Sequence, residues 1–253
     1  MARAYGSSPN THLALKFESA YGVDPGGNYQ LLPFVTVDLS GEQALIPSDL
    51  LGAGRDPGDP TLDLMRVAGE AVVPLDVRAI GFWLKLCMGA PVSQENQPAA
   101  GKYTHHFGSG MAALPSAAIE IGMGDVPAYF LNLGVMGNSF KVDVSRSGQQ
   151  VARIGLIAQS EAKSATSQGG TLVAQPALAR FATRQGNIQK DGSDLASVLS
   201  GEFGIDNGLI VVETIRADSY IEAVDPGPVA VDGTINTRFA STALYDAALA
   251  STA

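Results

Sequence analysis

Glycine and proline constrain this chain most: 29 glycines and 14 prolines are spread along all 253 residues. Proline removes a backbone donor, and glycine weakens the interior of a helix or strand. The apolar residues are therefore cut into short runs bounded by turn residues, which is the pattern of an antiparallel all-β protein. Strands are expected at 13–17, 30–39, 67–73, 103–107, 117–122, 128–135, 140–145, 151–158, 186–189, 199–203, 209–215 and 229–238. No run approaches the ~20 apolar residues of a membrane helix.

The clearest local signal is a hairpin. Phe140, Val142 and Val144 alternate with Lys141, Asp143 and Ser145, and the chain returns through 151–158 after a connection holding Gly148. Such alternation buries one face and wets the other, and a short loop favours glycine. Two helices are expected. In 77–88, Val77, Ile80, Leu84 and Cys87 share a stripe broadened by Trp83 and Leu86, with Asp76 placed to cap and Gly89 to stop it. In 241–250, Ser241 precedes a stripe of Leu244, Tyr245, Ala248 and Leu249. Residues 39–63, rich in Gly, Pro and Asp, read as a long functional loop, and 160–170 as a polar linker.

The order of elements repeats weakly. Ile46-Pro-Ser-Asp49 runs on to Asp56-Pro57, a strand and the first helix; Ile215-Arg-Ala-Asp218 runs on to Asp225-Pro226, a strand and the second helix. Either two related halves, about 10–160 and 171–253, are joined by the linker, or the likeness is chance among Gly/Pro-punctuated segments.

Hydrophobic residues make up 45% of the chain and charged residues 16%, with a formal net charge of −9. So few charges point to an obligate oligomer, since a soluble monomer carries roughly 25%. Net negative charge disfavours tight nucleic-acid binding but is compatible with DNA sliding past. Cys87 is the lone cysteine, so no disulfide or thiolate cluster forms within the chain. Residues 1–8 have no apolar signal core, which places synthesis in the cytoplasm.

Convergent chemistry is not found. His105 and His106 are neighbours on an expected strand, hence on opposite faces. Asp56, Asp59 and Asp63 lack the ligand order of a calcium loop. Ser160 and Lys163 match S-x-x-K without its partner motifs. No catalytic residue, cofactor or metal site is expected; a carbohydrate-binding β-sandwich or a Ser160/Lys163 hydrolase are the rival readings.

Several strings, in order along nearly the whole chain, resemble the tail tube (major tail) protein family of siphophages, the long-tailed bacteriophages. They include Met1-Ala-Arg-Ala-Tyr-Gly-Ser7, Leu32-Pro-Phe34, Ile46-Pro-Ser-Asp-Leu-Leu-Gly-Ala-Gly-Arg-Asp-Pro57, Val72-Val-Pro-Leu-Asp-Val-Arg78, Gly81-Phe-Trp83, Ile119-Glu-Ile-Gly122, Ser145-Arg-Ser-Gly148, Gly155-Leu-Ile-Ala158 and Glu213-Thr-Ile-Arg216. The resemblance implies a mainly β, tail-tube-type antiparallel sandwich or barrel with flanking α-helices. It implies a virion structural protein that closes into homo-oligomeric rings, hexameric or trimeric with pseudo-sixfold symmetry. The rings would stack into a conduit for genome ejection. Implied partners are other copies, the tape measure, terminator and distal tail proteins, and double-stranded DNA passing without specific binding; a terminator or decorating protein of the tail would share the fold. On this reading Lys141, Asp143, Ser145 and Arg153 are expected to face the lumen, and Asp49, Arg55, Asp56 and Asp59 to stack rings.

Overall fold

Ala128–Ser145 forms one 18-residue strand where two were expected, and the rest of the fold is arranged on it. The computed structural model describes residues 10–50, 56, 58–181, 188–190, 192–194, 198–238, 242, 245–246 and 249–250. Along these the order is β1 (Thr11–Phe17), β2 (Gln30–Leu32), β3 (Thr36–Val37), β4 (Ser40–Ile46), β5 (Thr61–Pro74), α1 (Ile80–Met88), β6 (Val92–Glu95), β7 (Tyr103–His106), β8 (Ala117–Met123), β9 (Ala128–Ser145), β10 (Val151–Ala158), β11 (Ser160–Ser164), β12 (Gln189–Lys190), β13 (Ser193–Asp194), β14 (Val198–Asp206), β15 (Ile210–Val212), β16 (Ala223–Asp225) and β17 (Ala230–Thr237).

The first half of β9 pairs with β8 and β11, completing a sheet ordered β2-β1-β8-β9-β11. Its second half pairs with β10 and β14 in a sheet that runs from β4 and β3 through β5, β10, β9 and β14 to β17. All these pairings are antiparallel, and the two sheets face each other as a sandwich. Leu13, Leu15, Ile119 and Val135 from one sheet meet Val67, Val73, Ile154 and Leu156 from the other, and Trp83, Leu86 and Cys87 of α1 join the same core. The turn of β9 between sheets needs glycine twice. Gly134 has φ +64°, and a Cβ on Gly137 would lie 2.5 Å from the Cys87 sulfur, so α1 seats on bare backbone there.

Several expectations change. The helix begins at Ile80, later than expected, with Trp83, Leu86 and Cys87 as its buried face and Val77 exposed. The reason is Asp76, whose buried carboxylate accepts the amides of Arg78 and Ala79 and, through its other oxygen, that of Ala179, 2.5 Å away. Those bonds hold 77–79 as a turn. Gly89 ends the helix as expected, its amide bonding the Lys85 carbonyl. The 30–39 run is split at Pro33 and Phe34. Residues 39–63 are in part strand: 40–46 of β4 pair with the start of β5 as a hairpin, and the described residues 47–50, 56 and 58–60 lie between the two strands. The supposed linker at 160–170 begins as β11, in register with Tyr129–Leu133 on β9, because its alternation matches the exposed edge of that strand. Residues 186–187 of one expected strand lie outside the described residues, as does half of 241–250. The described part of the latter has helical hydrogen bonds from the amides of Asp246 and Ala250 to Thr242 and Asp246.

The outer faces of the two sheets differ. Ala14, Tyr29, Ala118 and Leu131, on the outside of the first sheet, are covered with help from Leu172. Fully buried Glu120 pins that covering segment: it accepts from the Ser167 hydroxyl (2.7 Å) and the amides of Gln168 (2.5 Å) and Gly169 (3.2 Å), and it meets His12 at 3.0 Å. Burial by itself would raise the Glu120 pKa, but these partners together hold it below the ordinary value. A lowered folded pKa stabilises the fold above the usual glutamate value of about 4.3, and that stabilisation is lost as pH falls further. Glu120→Gln is therefore expected to cost about 2–4 kcal/mol at neutral pH, with the gap from the parent narrowing in acid. Denaturant midpoints measured from pH 7 to pH 3 check both the size and the direction.

Candidate functional site

On the outside of the second sheet, Met136 and Ile157 are covered by Leu209, Ile221 and Val224, and beyond that cover strand register places the charged side chains together. Arg153 pairs with Lys141 on one side and Val72 on the other, while Gly204 pairs with Lys141 and with Asp232. A Cβ on Gly204 would touch both the Lys141 chain and the Asp232 carboxylate, so these flank one glycine on one face. Stepping by two along each strand adds Asp143 and Ser145 on β9, Glu202 and Asp206 on β14, and Glu70 on β5. Lys141, Asp143, Ser145 and Arg153 thus share one face, as the hairpin alternation required. Glu202, Asp206 and Asp232 were missed. The alternation of Ser200, Glu202 and Asp206 with Gly201, Phe203 and Ile205 carried the signal, but β14 pairing directly with β9 could not be read from it.

On this face carboxylates outnumber cations. The Arg153 guanidinium sits between Asp143 (3.2 Å) and Glu70 (3.3 Å), which raise its pKa further above its already high value. All three side chains are roughly half exposed. The result is a net-acidic surface on which Arg153 is paired with two carboxylates.

The opposite face of the same sheet is apolar and outruns its cover. Past β9, Phe203 is 41% exposed, and on β17 Val231 and Ile235 are 70% and 40% exposed. Both lateral edges of this sheet are open among the described residues, because β17 pairs only with β14 and β4 only with β5. Unpaired edges of this length invite another strand.

Of the residues expected at the stacking loop, Asp49, Asp56 and Asp59 are exposed at the β4–β5 tip, and Arg55 lies outside the described residues. His105 is on β7, its ring 2.7 Å from the Ser93 hydroxyl, and His106 is its neighbour on the strand. Ser160 and Lys163 are three apart on β11 and so point to opposite faces. Burial pushes the Cys87 thiol up to about 12, which removes its nucleophilic form at neutral pH.

The family model for phage tail tube proteins matches residues 8–253, nearly the whole chain. The chain belongs to the phage tail tube protein family. No curated protein matches it. As a tail tube protein it is a structural component of the virion tail and works with other tail proteins; no described helix is long and apolar enough to cross a membrane.

Half-exposed ion pairs contribute little, so Arg153→Ala is expected to shift unfolding free energy by less than about 1 kcal/mol. Urea titration of the dispersed protein measures this; a loss of several kcal/mol would make the network a folding element instead.

Proposed function

We propose that copies of this chain close side by side into rings, that the rings stack into the tail tube, and that the tube conducts the genome into the host. The observation that carries this reading is the second sheet. Among the described residues it has a strand with one open edge at each side, and beyond the patch covered by Leu209, Ile221 and Val224 its outer face carries exposed charged side chains.

A strand edge leaves backbone N–H and C=O groups without partners, and a ring disposes of every edge at once. In the ring, β17 of one copy lies beside β4 of the next, and the apolar underside of β14 and β17 passes over the neighbour. This is a head-to-tail contact that closes by rotation. It also removes Phe203, Val231 and Ile235 from water, at roughly 25 cal/mol for each Å² of apolar surface covered.

The charged face then lines the lumen. DNA bears one phosphate per ~1.7 Å of helix axis, so a lumen of free cations would hold it. Glu70, Asp143, Glu202, Asp206 and Asp232 instead repel the backbone, while Lys141 and Arg153 are offset by them. The ring has six copies, or three if the strand-then-helix order after Ile46 and Ile215 marks two related halves. The ends of the tube meet the terminator and distal tail proteins, and the tape measure occupies the lumen before the DNA does.

Two outcomes are expected. Val231→Lys with Ile235→Lys leaves a folded chain by circular dichroism but abolishes rings in negative-stain images; rings of normal diameter from that variant would refute the edge assignment. Glu202→Lys with Asp232→Lys preserves tubes but slows DNA release from particles carrying it, and the slowing weakens in added salt. Unchanged release kinetics at low salt would remove this face from the lumen.

A further inference from the structure

One pocket opens at the Pro74 end of β5. It has a volume of about 320 Å³ and opens between β1, β2, the 33–35 turn, Pro74 and the 175–180 segment. That size falls within the range of roughly 300–1,000 Å³ typical of sites that bury a compact ligand. Leu31, Pro33, Phe34 and Leu178 make its walls apolar, and His12 and Arg180 supply its nitrogen groups. The Arg180 Nε is buried without a hydrogen-bond partner among the described residues. The wall is held rigidly: Val77 donates to the Ala179 carbonyl, Phe181 to the Leu75 carbonyl, and Ala179 to buried Asp76.

The β4–β5 tip has the opposite character. Asp49, Asp56 and Asp59 are exposed there, and Leu50 is 78% and Leu62 64% exposed. It is acidic and apolar where the pocket is apolar and holds the Arg180 guanidinium, His12 being bonded to Glu120. The two lie at opposite ends of one strand, because β5 starts at the tip with Thr61 and ends at the pocket with Pro74. At about 3.3 Å per residue its 14 residues hold them some 40 Å apart. The tip cannot fill its own pocket.

We infer that this pocket is the receptor for the β4–β5 tip of a second copy, in the adjoining ring. The flanks 46–50 and 58–62 place their apolar side chains against Phe34 and Leu178, and a tip aspartate meets the Arg180 guanidinium. Complementary surfaces at opposite ends of a molecule make a contact that repeats without closing, which gives a filament. The ring edges supply closure, and this contact supplies length. The inference rests on the reading that rings stack, and it adds what the tip binds.

The test uses the full chain. Arg180→Glu is expected to leave rings intact and to raise the concentration needed for tubes roughly tenfold or more. Combining it with Asp56→Arg and Asp59→Arg should restore tubes at least in part. A second arm uses oxidative cross-linking of Asp59→Cys with Leu178→Cys in assembled tubes, since the native thiol of Cys87 is buried. Covalent ladders from the double variant, absent from either single one, support the contact. Normal tubes from Arg180→Glu, or tubes of the double variant that form no ladder, overturn it while leaving rings and stacking in place. If Arg180→Glu does not fold, the ladder alone decides. Failure of the parent chain to form any ring would instead overturn the proposed function itself.

Discussion

Everything in this molecule depends on a single strand belonging to two sheets. β9 can cross between them because Gly134 adopts a positive φ and Gly137 leaves room for the Cys87 side of α1. Asn207 secures the crossing from the far end of the chain: its buried side-chain amide donates to the carbonyls of Cys87 and Gly137, each at 2.8 Å. A helix end, a strand bend and the entry to the segment after β14 are thereby held at one point. Removing one of these partners would strand buried carbonyls, which is why such a point tolerates little change.

Buried polar groups repeat this role elsewhere. Asp76 binds the 179 amide, and Glu120 binds 167–169, so later parts of the chain are tied to the early strands by hydrogen bonds rather than by a large apolar core. The consequence is an asymmetric sandwich. Both sheets share the main core; the first is covered outside around Tyr29 and Leu131, whereas the second is covered outside only around Met136 and Ile157 and elsewhere presents charged side chains to water. A sheet with open edges invites pairing with another strand, and on the proposed reading those edges are used in assembly.

The two sides of that sheet do different work. Apolar side chains that continue the core beyond its cover favour association, whereas the alternate positions carry paired charge. Strand periodicity forces the separation, because neighbours along a strand cannot face the same way.

By itself the sequence determined the class of structure and its local periods. Gly and Pro spacing led to many short strands, the alternation at 140–145 to a half-wet hairpin, and Gly89 to a helix stop. Each of these depends on residues near in sequence, so each was legible. The tertiary structure decided the rest, because it depends on long-range partners. It joined 128–135 to 140–145 as one strand, turned Asp76 from a simple cap into a tie to Ala179, and made part of a polar linker into β11. It also brought Glu202, Asp206 and Asp232 beside Lys141 and Asp143, some sixty to ninety residues away, through backbone pairing that no local pattern encodes.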